Sequence, residues 1–497
     1  RARLVLATAV FACLLLGMTF LPSAHPAGVN NGDFGRMMEQ LDLTWPGYIF
    51  YDTEAQLGGR AIETYEYLRP FDPLKLTPLR PTYSLYGFAS LVRLMTEPFG
   101  RPFSTLLLAW VMGLISLICI LCLTWDLYPL LGRWTAAAAC GLCVMLLCET
   151  YLTWYNSLYG EGCILLGLLL TLTCACRLSL TPPMSGPKRV GWLLALILSL
   201  NVLLTAKAQM LLALPGALAL LLVLGWHHRP YRYDLQVLHG LVCCAFCALL
   251  VFSSLRVYQS DRTENSVSQR HTMWQAYFYG IFMISDDPIA DMEELGVDTA
   301  MAPDIGKFVD FSSDAYVYAP LSEEAREAFY DHVSMLTIIR WYIRHPAKLW
   351  QMLDHAARES QTLYDDFRVY SGQDYGSLTR EAVNGRSFWP GWRASLSPSS
   401  FLGYILCYGL LLWVLLRRML RRGADTRTRL ICCLPLFVLV TGVLQFPLSV
   451  LGNGFADNQK QLFCFSLCHD FLLLGTLVFG LHALAAPRKK DSEETAP

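Results

Sequence analysis

The chain has 497 residues, 54% of them apolar and only 16% charged, against roughly 25% charge in soluble globular domains. A water-soluble fold of that make-up would leave too much apolar surface wet, and a net charge of −1 lacks the basic face of a nucleic-acid binder, so no nucleic-acid partner is expected. Apolar runs of roughly 18 residues or more recur, each able to cross a hydrocarbon core of about 30 Å, and the expected class is an all-α polytopic membrane protein.

In chain order the expected spans are 4–21, 103–124, 134–150, 162–178, 190–205, 208–226, 236–254, 401–417, 429–448 and 463–485, ten crossings in all. Arg1 and Arg3 before the first span, with small residues at Ser23–Ala27 after it, leave two readings: a retained helix or a cleaved signal. An outer segment follows at about 22–101 and ends in Tyr83–Glu97, an apolar and aromatic stretch suited to an interfacial helix. Spans one to seven with this segment form an N-terminal membrane module, 1–254. The Thr205–Gln209 stretch is either the loop between spans five and six or a polar interruption of one re-entrant segment.

The 255–400 segment is the only piece of soluble-domain size and is expected to be an outer helical domain. It is acidic, with 21 Asp and Glu against 13 Lys and Arg. Ser322 with Glu323 and Glu324 opens one helix, Asp287 with Pro288 caps another, and Met335–Glu359 is amphipathic with a kink at Pro346. A C-terminal membrane module, 401–497, carries spans eight to ten and a charged tail. Placing the N-terminus inside gathers 17 Lys and Arg, from Arg1 to Lys490, on the cytoplasmic side; the short outer loops keep only Lys207 and Lys460. Both termini are then inside, and a multi-pass protein of the cell membrane is expected.

All 17 cysteines lie in or beside apolar spans and none in the two large outer segments, so no disulfide framework is expected there. The Cys119/Cys122 and Cys140/Cys143 pairs sit inside spans, where packing explains them better than zinc.

Polar residues that solvated surface does not explain gather at the outer ends of spans. Asn30–Arg36 places Asn31, Asp33 and Arg36 within one glycine-rich turn, where Asp33 is either a helix cap or a general base. Trp154–Gly162 holds Tyr155, Asn156 and Glu161; a carboxylate so close to an apolar span needs a cation, a metal or another partner. Leu451–Lys460 holds Asp457 and Lys460. With Lys207 and Gln209 of the third outer loop, it offers cations and donors at headgroup depth, suited to a lipid phosphate, although a lysine there also serves as a plain interfacial anchor. His469 and Asp470 lie deeper, in span ten, either as a functional pair or as partners of a neighbouring helix.

A short start, one span, an outer loop with an acidic residue near the membrane, an interfacial helix and then many spans resemble the type C integral-membrane glycosyltransferases. The Asn31–Arg36, Tyr155–Glu161 and Gly452–Asp457 segments are similar to those of bacterial surface-glycan hexosyltransferases in that superfamily. The resemblance implies a polyprenyl-phosphate-linked sugar donor, a glycan or glycolipid acceptor, and inverting hexose transfer on the extracytoplasmic face of the membrane. It implies Asp33 as general base, Arg36, Lys207 and Lys460 toward the leaving phosphate, and Tyr155, Asn156 and Glu161 around the sugar. A divalent cation, Mg or Mn, would find hard oxygen ligands in Glu161 and Asp457. The acidic dipeptide of several members is absent, since Gly32 and Phe34 flank Asp33; Glu161 or Asp457 would supply a second carboxylate. Two other readings share the multispan plan: a transporter or flippase of lipid-linked saccharides, and a surface-polysaccharide polymerase or ligase.

Overall fold

The computed structural model describes residues 1–21, 27–29, 35–44, 64–71, 83–184, 186–230, 233–263, 266–309, 315–363, 368–370 and 388–485. Among them nine helical stretches are long and apolar enough to cross a bilayer, and strands are few and short, as an all-α polytopic membrane protein requires.

The N-terminal module begins with α1, Ala2–Phe20, which packs on α4, Thr105–Leu131, and on α5, Thr135–Leu146. Between them come a short helix α2, Gly35–Leu41, and α3, Ser84–Thr96, a helix where the interfacial one is expected. Helix α3 buries Leu85, Tyr86, Ala89 and Val92 and exposes Leu91, Leu94 and Met95, the two-faced pattern of a helix lying along a membrane surface. Two small sheets were not legible in the sequence. Strands β2, Leu43–Thr44, β3, Thr64–Tyr67, and β4, Phe103–Ser104, form one. The other pairs β1, Ala27–Val29, antiparallel with β5, Arg368–Tyr370, and so ties the first outer segment to the outer domain.

The third expected crossing departs from its sequence pattern. At Gly132 the chain turns back (φ 55°, ψ −124°) and α5 runs for only 12 residues, about 18 Å at 1.5 Å per residue. It stops at Leu147 and Cys148, whose backbone leaves the helical region. A single turn, α6, Glu149–Leu152, and a run of tight turns complete the passage. Irregular backbone is tolerated at this depth only inside protein, and residues 145–159 are all buried.

Helix α7, Gly160–Leu180, packs most extensively on α8, Gly186–Leu204. Gly167 permits it: a Cβ there would stand 2.7 Å from the backbone nitrogen of Leu203. Helix α8 ends before Lys207, and a 3₁₀ turn, Ala208–Ala213, leads into α9, Leu214–His227, so spans five and six are separate helices. Then follows α10, Tyr233–Thr263. Arg1 against Trp125, and Arg177 2.9 Å from Asp126, put the start of α1 and the ends of α4 and α7 at one end of the bundle. Glu161 opens α7 at the other.

The 255–400 segment, the expected outer domain, has an apolar core around Trp274, Phe278, Phe329, Ile338 and Tyr342 that runs on into Phe446, Val450 and Phe465 of the C-terminal module. Its helices are α11, Ser266–Ala276; α12, Pro288–Leu295, capped by Asp287; α13, Met335–Arg344, capped by Ser334; α14, Pro346–Glu359; and α15, Phe388–Leu396. His345 (φ −118°, ψ 63°) breaks α13 from α14 at the expected kink. Ser322 accepts from the Ala325 amide as the cap expected there. The C-terminal module comprises α16, Phe401–Leu420; α17, Thr426–Asn453; a single turn α18, Asn458–Gln461; and α19, Phe463–Ala485. All 17 cysteines are free.

Candidate functional site

Glu161 lies in the first turn of α7 and is wholly buried. Its Oε1 accepts from Lys207 Nζ at 2.6 Å, while Oε2 has no hydrogen-bond partner. The partner that burial of a carboxylate demands is therefore an ammonium from the loop after α8. Lys207 is held extended (φ −151°, ψ 155°), and the loop is pressed onto α7 at Gly160, where a Cβ would stand 2.4 Å from the Ala206 carbonyl oxygen. The α3 helix joins the same loop, since the Ser84 amide donates to the Thr205 carbonyl at 3.1 Å. Gln209 is half-buried and its carbonyl accepts from Gln445 of α17 at 3.2 Å.

A second cation reaches the same turn from the C-terminal module. Lys460, on α18, is buried to 6% exposure and places Nζ 5.0 Å from the Tyr159 ring centre, two residues before Glu161. Asp457 precedes α18 in the left-handed region (φ 47°, ψ 28°), a conformation aspartate tolerates better than most residues. Beside Lys460 opens a pocket. It is small and is lined by Thr150, Tyr151 and Trp154 of the broken third crossing, by Gln459, Lys460 and Phe463, and by Leu363 of the outer domain; the Phe463 ring meets those of Tyr151 and Trp154 at 5.7 and 5.3 Å. Gln459 Nε2 donates to Glu359 Oε2 of α14 at 3.1 Å, and His355, one turn earlier, meets the Phe455 ring at 4.8 Å. Burial holds the His355 imidazole below its ordinary pKa, with Glu359 pulling the other way and Arg358 adding to the lowering.

Asn156 is buried, and β1 runs against it: a Cβ on Gly28 would stand 2.7 Å from the Asn156 carbonyl oxygen. The strand entering the Asn30–Arg36 segment is thus seated on the Trp154–Gly162 turn. Asn31 and Asp33 lie outside the described residues, as does the Arg36 side chain. Tyr155 turns into the bundle, where its hydroxyl meets Ser116 of α4 at 2.7 Å, and it backs the turn rather than lining the pocket.

His469 and Asp470 are held by neighbours. Asp470 accepts from Arg393 Nε and Trp389 Nε1, both 2.6 Å away on α15, and from the Tyr151 hydroxyl at 2.8 Å. His469 lies 2.9 Å from both Ser397 and Tyr408 hydroxyls. Arg393 also donates to the Ser360 carbonyl. The pair thus fastens the outer domain to α19 and fixes Tyr151 in the pocket lining.

Among the described residues no three His, Cys, Asp or Glu side chains gather to hold a metal ion. Glu161 gives one oxygen to Lys207 and keeps Oε2 without a hydrogen-bond partner. Tyr151, Trp154 and Gln459 lay next to the residues singled out in the sequence and could have been found there. His355, Glu359 and Arg393 carried no local signal, because their partners are distant in the chain.

The sequence profile of the YfdI N-terminal transmembrane domain family matches residues 2–496. No curated protein matches the chain, and no solved structure matches it.

Proposed function

We propose that this chain, which belongs to the YfdI N-terminal transmembrane domain family, is a hexosyltransferase of the cell membrane. It takes a hexose from a polyprenyl-phosphate-linked donor and passes it to a glycan or glycolipid acceptor on the extracytoplasmic face. The observation that carries the reading is the convergence of Lys207 and Lys460, from two separate loops, on the Tyr159–Glu161 turn beside a pocket with aromatic and amide walls. Lys460 lines the pocket and Lys207 is held on the adjoining turn; cations fixed in this way suit a leaving phosphate, because preorganised charge costs no reorganisation when the bond breaks.

In this mechanism Asp33 takes the proton of the acceptor hydroxyl as that oxygen attacks the anomeric carbon. The bond from that carbon to the lipid phosphate oxygen breaks, and the phosphate leaves toward Lys207, Lys460 and Arg36 with inversion at the sugar. Glu161 acts through Lys207, holding its ammonium in place, and Asn156 and Gln459 offer amides to sugar hydroxyls. Gly28 on Asn156 supports the assignment of Asp33, since it seats the strand five residues before that carboxylate on the same turn. The test is transfer by purified protein in liposomes, from a labelled polyprenyl-phosphate hexose to membrane acceptors. Asp33→Asn is expected to lower turnover by about 10²–10⁴ with unchanged expression. Turnover within a few-fold of the parent rejects the base, and labelled donor crossing the bilayer without transfer rejects the enzyme.

A further inference from the structure

Helix α13 is apolar on two faces. Ile338, Trp341 and Tyr342 are buried in the outer-domain core, together with Phe446 and Val450 of the outer end of α17. On the other side Leu336, Ile339 and Ile343, spaced for one helical stripe, are 54%, 37% and 72% exposed, and Trp350 on α14 is 45% exposed. Water is a poor neighbour for such a stripe.

Two observations identify what covers it. The first is continuity with the membrane-facing surface. The Trp350 ring meets Phe401, the first residue of α16, at 5.1 Å; Phe401 stacks on Phe446 of α17 at 5.6 Å and 11°. The stripe therefore stands level with the outer ends of two spans, and Leu402, Ile405 and Leu406 of α16 continue as an exposed apolar surface below it. The second is charge. In a domain with an acidic balance, no acidic residue occurs from His332 to Leu353, whereas Arg340, Arg344 and Lys348 do. Arg344 and Lys348 are drawn to Glu294 and Asp286 on the domain side, and Arg340 stays exposed. An amphipathic helix with apolar residues and tryptophan on one side and cations along its edge suits the headgroup boundary of a bilayer.

We infer that the α13–α14 elbow rests in the outer leaflet, with Leu336, Ile339, Ile343 and Trp350 among acyl chains and Arg340 at the lipid phosphates. The outer domain is thus a membrane-embedded cap on the pocket, whatever chemistry the pocket performs. Helix α14 links the two, since Trp350 sits toward its lipid end and Glu359, which holds Gln459, at its pocket end.

The test uses the full chain in native membranes with a photoreactive side chain, Ile343→p-benzoylphenylalanine, at a position exposed enough to accept it. Leu406→p-benzoylphenylalanine on α16 reports a lipid-facing site and Glu324→p-benzoylphenylalanine a water-facing one. After irradiation, mass spectrometry is expected to find lipid adducts at 343 as at 406, and none at 324. A polypeptide adduct at 343, from a second copy or another protein, overturns the inference. So does a 343 profile as free of lipid as 324. Leu336→p-benzoylphenylalanine repeats the measurement one stripe position away.

Discussion

The Asp470 carboxylate shows how much a single buried charge organises. It accepts from three side chains of two other elements, one of them Arg393, which is itself fully buried. Removing one member leaves the other charge buried without its counterion, a change that typically costs about 3–5 kcal/mol, whereas replacing both by apolar groups of similar volume is often close to neutral. Asp470→Leu or Arg393→Met alone is therefore expected to lower thermal stability in detergent sharply, and the double variant to recover much of it. A double variant as unstable as the sum of the singles would show that the hydrogen bonds to Trp389 and Tyr151, and not the charge pair, dominate.

At the scale of elements, the site depends on loops pressed together without intervening side chains. Gly160 is the clearest case, because the atom its Cβ would strike is a backbone oxygen that cannot swing aside. Gly160→Ala is expected to push the Lys207 loop off α7, destabilise by about 1–3 kcal/mol, and lower transfer in the liposome assay more than Gly87→Ala, where the added Cβ meets nothing within 4 Å. The α14 helix provides a second lever. His355 has its pKa lowered by burial, so the folded protein takes up its proton less readily than the unfolded chain does. Stability contributed this way is fully present above the ordinary histidine range near 6.5 and is lost as pH falls through it toward the folded value. Thermal midpoints are expected to drop between pH 7.5 and 5.5, and His355→Gln is expected to shrink that drop. An identical drop in the variant would assign the effect to other groups.

For the molecule as a whole, span positions were legible because length and hydropathy are one-dimensional signals, and nine helical stretches among the described residues follow them, one of which, Thr105–Leu146, takes in the second and third of the ten expected crossings. The third crossing was not, since its apolar run continues through Leu146, Leu147 and Cys148 with no Gly or Pro to mark the break. Strands of two to four residues left no periodicity to read. Lys207 and Lys460 stood out as the only cations of the short outer loops, and both reach the Tyr159–Glu161 turn. The outer-domain contributions of His355, Glu359 and Arg393 come from packing between distant segments, which one sequence does not encode locally.

The truncated third crossing leaves a stretch of buried, non-helical backbone where a full-length span would otherwise run. A helix of about 18 Å is roughly 12 Å shorter than a hydrocarbon core of about 30 Å, and Thr150, Tyr151 and Trp154 follow directly from its end. Under the proposed transfer reaction, a reactant tethered to the bilayer would reach such a recess without leaving the lipid, while a freely diffusing hydrophile would first have to shed its hydration, so that anchorage would discriminate before any side chain reads shape.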